Sequence, residues 1–345
     1  AVGLANWTFL VIDFRYHLVS IIAVFLALAV GLAVGSTALS GKAVEALTAA
    51  QRAALQDNAT LRQERQTLTD ELNAEQAFAQ AAAPRLLQGL MTGEKVVIVT
   101  TPGYDTPVVS GVTSALRQAG ATVTGEVIVN PPFLATDGHD EDQLTQLAQN
   151  LAATADVTLP AQSSSSIAGQ QAASKVLAAS LLTTDGNGIP AADTTHILKG
   201  FSQDGYVSIG NGASSVSAPA TLAVLVAPGG TPPQTGRNVL VALAVALRNA
   251  GAGTVMVSGS ESVGSNSVID AEIKAGQVST VDNADNETGQ IMTVQALRLL
   301  LADNKSPGHY GAYPDAPNAA PSPAPTPSVS PTSTPNPSTS SGGHT

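Results

Sequence analysis

KVVIVTTPGYDTPVVSGVTSALRQAGATVTGEVIV, residues 95–129, decides the fold. Lys95–Thr100 is a short apolar run rich in β-branched residues, the composition of a strand buried on both faces. A turn follows at Thr101–Asp105, and then Val108, Val109, Val112 and Leu116 recur at helical spacing. Gly120 stops that helix, and Thr122–Val129 reads as a second strand. Two strands joined through a helix pair in parallel, so residues 95–129 are expected to form a βαβ unit.

The alternation continues toward the C-terminus. A short helix is expected at Asp140–Ala153, and two helical pieces across Ser163–Lys199, split by Asp185-Gly186-Asn187-Gly188. Strands follow at Thr221–Ala227, Thr254–Ser258 and near Val278–Val281, with helices at Asn238–Asn249, near Ser267–Lys274 and at Glu287–Asp303. This order predicts a mostly parallel sheet covered by helices on both faces, in the α/β class. From Pro314 onward the chain is almost entirely Pro, Ser, Thr, Ala and Asn, which cannot bury a core and is expected to be a disordered tail. Outside the cytoplasm such a tail is a target for O-glycosylation, and a plain linker explains it equally well.

Toward the N-terminus the pattern changes. Val44–Ala83 contains no Gly or Pro and is rich in Ala, Leu, Gln, Glu and Arg, so a long helix is expected, with Pro84 marking its end or a kink. In a heptad frame one seam position holds Leu47, Ala54, Leu61 and Leu68; the other holds Val44, Gln51, Asn58, Arg65 and Leu72. A polar Asn58 in the seam can fix register and oligomer state. The helix therefore reads as a stalk for a homo-oligomer or for a partner's coiled coil, or as an amphipathic helix lying on its own domain.

Before the stalk, LVSIIAVFLALAVGLAV (Leu18–Val34) carries no charge, and the uncharged run lasts until Lys42. Leu18–Leu39 as a helix measures about 33 Å, matching a hydrocarbon core of about 30 Å. Arg15 and His17 border it, with Trp7, Phe14 and Tyr16 placed as interfacial aromatics. A single transmembrane pass is expected; a cleaved signal peptide with Ser36-Thr37-Ala38 as cleavage site, or a buried core helix, are the other readings. Arg15 and the α-amino group on one side and Lys42 and Arg52 on the other leave the orientation undecided by charge.

Composition narrows the function. Acidic residues number 26 against 15 basic, a net charge of -11 that repels a nucleic-acid backbone, so no nucleic-acid partner is expected. Cysteine is absent, which removes disulfides, thiolate nucleophiles and Cys-based metal sites. Pro228–Arg237 lies between a strand and a helix, where an anion could sit, but it lacks the Lys of a P-loop and the spacing of a dinucleotide fingerprint. It reads as a structural turn, as does Thr101–Asp105. The acidic runs Asp137–Asp142 and Asp282, Asp285, Glu287 do not match an EF-hand loop; each precedes a helix and reads as a capping cluster. No Gly-x-Ser-x-Gly occurs, the histidines are scattered, and no enzyme is expected. Catalytic, cofactor and metal residues are accordingly expected to be absent.

Phe14-Arg15-Tyr16-His17, followed by Leu18-Val19-Ser20 and AVFLALAVGLAVGS, resembles the start of the actinobacterial MctB family, also described as SteB. Val281-Asp282-Asn283, Gly308-His309-Tyr310-Gly311 and the order anchor, stalk, α/β domain extend the resemblance over about residues 12–311. Family members usually begin just before the Arg-Tyr-His, so Ala1–Val11 departs from the pattern and reads as an extension. The resemblance implies copper transport or homeostasis, with some members regarded as outer-membrane channels. It also implies a second picture, an envelope adaptor for cell-wall assembly and division with a SteA-type partner. A less favoured reading is an envelope hydrolase or ligand-binding domain. Copper association comes from the resemblance alone: soft-metal sites favour Cys, Met and His, and three dispersed Met with no close His pair do not form one. A β-barrel is not expected from helices, buried strands and few aromatics.

The resulting organisation is an extension (1–17), a transmembrane helix (18–39), a helical stalk (42–83), an extracytoplasmic α/β domain (90–311) and a disordered tail (312–345). The N-terminus is placed in the cytoplasm, with the outer membrane as the other location. Phe14, Arg15, Tyr16 and His17 are the candidates for membrane or partner contact. Leu47, Ala54, Asn58, Leu61, Leu68 and Leu72 form the stalk seam, and Asp282, Asn283, His309 and Tyr310 carry the family motif.

Overall fold

The computed structural model describes residues 7–159, 165–184, 186–210, 216, 219–262, 264–302, 306–312 and 320–321, without the side chains of 7–14, 37–40, 42, 43 and 139. The expectations for the extension before Trp7 and for most of the Pro/Ser/Thr-rich tail lie outside the described residues. The chain divides into two compact units, Ala1–Ala74 and Glu75–Thr345.

Helix α1 (Trp7–Leu87) contains both the apolar segment and the stalk. Within the first unit, Arg15–Ser36 is a 22-residue apolar stretch long enough to cross a membrane, with none of it buried by protein. Helix-forming composition then carries the chain onward, and residues 51–74 are exposed throughout. Pro84 does not end the helix, which runs on to Leu87. The proline costs one backbone bond. Burial of Ala79, Ala83 and Leu87 in the core of the second unit outweighs that loss, and Gln88 N–H still donates to Pro84 O at 3.2 Å.

The second unit is α/β, as the sequence predicts. Strands β1 (Lys95–Thr100), β2 (Thr122–Val129), β3 (Val207–Ile209), β4 (Leu222–Val226), β5 (Gly253–Val257), β6 (Ser279–Val281) and β7 (His309–Tyr310) form one sheet in the order β3-β2-β1-β4-β5-β6-β7. All neighbours pair in parallel except β2 and β3. The helices are α2 (Thr106–Gln118), α3 (Pro131–Leu134), α4 (Gly138–Ala152), α5 (Ala168–Leu181), α6 (Ala191–Gln203), α7 (Gln234–Ala250), α8 (Val268–Ala275) and α9 (Glu287–Leu301).

The alternation of side chains along each strand sorts the core into two layers. Val97, Val99, Ala223, Leu225 and Met256 face one layer with α4 to α8; Val96, Ile98, Leu222, Val224, Val255 and Val257 face the other with α2, α9 and the end of α1. The β1–α2–β2 and β4–α7–β5 crossovers run in opposite directions from the centre of the sheet, so a right-handed connection requires α2 and α7 on opposite faces. That is where the two core layers place them. Phe133 and Phe201 meet in the α4–α8 layer with ring centroids 6.4 Å apart, an aromatic contact in a layer otherwise filled mainly by Leu, Ile, Val and Ala.

Four short elements escape the sequence reading: α3, the antiparallel edge strand β3, the 3-10 turn Ser260–Ser262 and the two-residue β7. Helix α7 also starts at Gln234 rather than Asn238, absorbing part of the Pro-rich turn.

Candidate functional site

Open parallel sheets bind ligands where the strand order reverses, outside the carboxyl ends of the strands. Here that point lies between β1 and β4, at the turns Thr101–Asp105 and Pro228–Arg237. The two turns are tied to each other. Tyr104 bridges Pro228, Gly229 N–H donates to Gly103 O at 3.1 Å, and Thr101 Oγ1 donates to Val226 O at 2.9 Å. Ser262 Oγ caps Pro228 O at 3.0 Å. Arg237, the cation of this turn, is buried and donates to Pro232 O at 2.7 Å and to Gln234 Oε1. Its donors serve its own loop, which accords with the structural-turn reading.

The two separated family segments converge on the β6–β7 edge. Val281 pairs with Tyr310 and Thr280 with His309. Asp282 is buried; its N–H donates to Tyr310 O at 3.2 Å and its Oδ1 accepts Ala312 N–H at 2.6 Å. Asn283 adopts φ 56°, a left-handed conformation that Asn tolerates, and turns the chain into α9. His309 Nδ1 lies 3.0 Å from Thr280 Oγ1, and burial lowers its pKa, favouring the neutral ring. The Tyr310 hydroxyl fills the space that a side chain at Gly308 would need, and burial raises its pKa. Proximity of 281–283 to 308–311 could not be read from spacing, because about 25 residues of helix and loop separate them.

The capping expectation divides. Asp137 does cap α4, accepting Asp140 N–H at 3.1 Å, and Asp140 and Glu141 occupy its first turn. The second cluster is corrected in part: Glu287 occupies the first turn of α9, but Asn286, not an acid, caps the helix, accepting Gly289 N–H at 3.0 Å. Asp285 instead holds the 3-10 turn Ser260–Ser262, accepting Ser260 N–H at 3.0 Å and Ser260 Oγ–H at 2.5 Å. An amide cap does for the helix what the sequence reading gives to a carboxylate.

Two cavities flank the sheet's helices in the second unit. A groove of about 980 Å³ runs along α7 between α5 and α8, floored by Val241, Val245 and alanines and rimmed by Lys175 and Lys274. A smaller, polar cavity of about 300 Å³ opens at the amino ends of β5 and β6, lined by Arg248, Asn249, Thr254 and Gln277. Behind it Glu272, fully buried, accepts Gln277 N–H at 2.8 Å and Val278 N–H at 2.5 Å through Oε1. Desolvation pushes its pKa up to about 7, against the opposing pull of those N–H groups and Arg248. Among the described residues no group of three His, Asp or Glu is placed to hold a metal ion, and Met91 and Met256 are buried in the core.

In the first unit, Arg15, Tyr16 and His17 are exposed and Phe14 lies on the same helix. The seam residues Leu47, Leu61, Leu68 and Leu72 are 70%, 57%, 64% and 50% exposed, and Ala54 and Asn58 are also exposed. Such exposure of successive leucines on one helix face is what an uncovered interaction stripe presents.

The chain is similar to proteins named copper transporter MctB. The Mycobacterium leprae (strain TN) protein is 30% identical over 314 residues, covering 88% of this chain and 96% of that relative. The Mycobacterium tuberculosis (strain ATCC 25618 / H37Rv) protein is 28% identical over 313 residues, covering 87% and 96%. The family described as copper transport outer membrane protein, MctB, matches residues 11–321. With the anchor-length helix, the stalk and the α/β sheet in place over that same range, the chain belongs to the MctB family.

Proposed function

We propose that this protein is a single-pass, membrane-anchored envelope component of copper homeostasis or transport that acts by binding and tethering rather than by catalysis. The observation that carries the reading is the apolar helix Arg15–Ser36, unburied by protein and continuous with an exposed stalk. The segment before Leu18 faces the cytoplasm and the α/β unit lies outside. The copper role is indirect: with no cysteine, two core methionines and His309 turned to Thr280, the donors that a soft ion needs are not assembled among the described residues. The test joins two measurements on the full chain. Protease or labelling access in intact cells should reach the α/β unit and not the Arg-Tyr-His lead-in. Calorimetry of the detergent-solubilised protein with copper should show no stoichiometric uptake; tight stoichiometric binding overturns the indirect role.

A second reading, an adaptor in cell-wall assembly and division with a SteA-type partner, is favoured by the exposed leucine stripe and by exposed Arg15, Tyr16 and His17 beside the apolar segment. Co-purification of such a partner that depends on Arg15 and His17 tests it.

A further inference from the structure

We propose that the stalk forms a parallel, in-register two-stranded coiled coil with a second copy of this chain, paired along Val44–Leu72. The stripe is not covered within the first unit: from Val44 to Ala74 every position is exposed except half-buried Thr48. A long helix with no tertiary contact is marginal in water unless its apolar face is buried, so the bare leucines call for an occupant.

The charges flanking the stripe choose that occupant and its direction. With Leu47, Ala54, Leu61 and Leu68 at the d positions, the g positions hold Ala50, Asp57, Glu64 and Glu71, and the e positions hold Thr48, Leu55, Arg62 and Thr69. In a parallel pair each g residue faces the e residue five places later on the other helix. Asp57 then meets Arg62, and Ala50 meets Leu55, which extends the apolar seam with a residue 64% exposed in one copy. In an antiparallel pair g faces g, and stalks overlapped along Val44–Leu72 would set Asp57 against Asp57 or against Glu64 of the other helix. A second copy laid parallel replaces that acid pair with Asp57–Arg62 and leaves no acid facing an acid, while Arg65, at an a position, meets its own copy across the seam, where its long side chain reaches outward to solvent. Asn58 at an a position opposes its own copy only when the register is exact, the use of a seam Asn that specifies two strands. Anchors in one bilayer would hold two copies in the same direction.

The absence of cysteine makes the test direct. Single cysteines are placed in the full chain in detergent micelles or liposomes and oxidised mildly. Leu47→Cys and Leu68→Cys should each form a self-disulfide in high yield, whereas Ala49→Cys and Asp70→Cys, on the outer face, should not. Self-linkage at both Leu47 and Leu68 requires the parallel register, since an antiparallel pair can bring at most one such position onto itself. In the Leu61→Cys background, Arg62→Glu should lower the disulfide yield several-fold, and adding Asp57→Arg should restore it. Equal yields at seam and outer positions, or adducts only to a different protein, overturn the second-copy assignment. Loss on Arg62→Glu without rescue overturns the register. None of these outcomes depends on copper.

Discussion

Oδ1 of Asp282 accepts the backbone N–H of Ala312 at 2.6 Å, tying the end of β6 to the chain that leaves β7. The carboxylate is buried, and Gly311 passes so close that a Cβ there would lie 2.2 Å from the same oxygen. Two family segments are thereby locked into one edge.

Asp282→Ala should leave the Ala312 N–H without its acceptor and destabilise the second unit by about 1–3 kcal/mol. Denaturant titration of the full chain, followed by a signal from the α/β unit, checks this. Asp282→Asn, which keeps an acceptor oxygen, should lose less. An unchanged midpoint for the alanine variant would mean that the edge is held without this bond.

Gly289 sits in the first turn of α9 against the carbonyl of Asn283, where a Cβ would approach the oxygen to 2.2 Å. The obstacle is backbone, so it cannot swing aside. Gly289→Ala should cost about 3 kcal/mol or more, displacing the α9 entry and the left-handed turn at Asn283. Gly138→Ala is the control: a Cβ there meets nothing within 4 Å. It should be neutral or slightly stabilising, because alanine restricts the unfolded chain. A thermal melt comparing the two separates local crowding from any general intolerance of substitution.

How much of this is readable in advance follows from how far each signal is local. Lys95–Thr100 and Thr122–Val129 announce themselves because β-branched runs are bounded by turn residues, and Val108, Val112 and Leu116 mark the helix between them by spacing alone. Val207–Ile209 and His309–Tyr310 do not, since strands of three and two residues carry no periodicity and exist only because a neighbouring strand offers its backbone. Pro84 read as a helix end misleads for the same reason, as packing of Ala83 and Leu87 overrides a local breaker. The Asp282–Asp285 acids are legible as a cluster but not in role, because Asp282 and Asp285 bond to Ala312 and Ser260, which lie near them only in the fold. The stalk seam is the reverse case: its pattern is local, and its meaning lies in a surface that the folded monomer leaves bare.

Glu272 predicts a pH dependence. Its folded pKa, raised to about 7 from an ordinary 4.5, means that the folded state holds the proton more firmly than the unfolded one. Its stabilising contribution is therefore fully present below pH 4.5 and is lost as pH rises through 7, up to about 3 kcal/mol. Glu272→Gln keeps an acceptor for Gln277 and Val278 and removes the titration. The variant should melt higher than the parent at pH 8 and lose that advantage at pH 5. Identical pH profiles would show that the carboxyl is hydrated in the folded chain.

His309 acts in the opposite direction. Burial lowers its pKa from 6.5, so the unfolded chain binds the proton more readily than the folded one. Its contribution is present above pH 6.5 and declines as pH falls below that value toward the folded pKa. His309→Gln, which places an uncharged polar group against Thr280, should lower the melting temperature at pH 8 through poorer packing, yet flatten the fall in stability on the acid side of 6.5. Glu272 and His309 thus act in opposite directions over an overlapping range, one weakening the fold as pH rises from 4.5 through 7 and the other as it falls below 6.5, so that their slopes partly cancel in the parent. The double variant should retain neither of these two slopes, and melts of the four proteins at pH 5, 6, 7 and 8 resolve them. If His309→Gln left the acid limb as steep as in the parent, the carboxylates elsewhere in the unit would be its source, and the imidazole would titrate alike in the folded and unfolded chain.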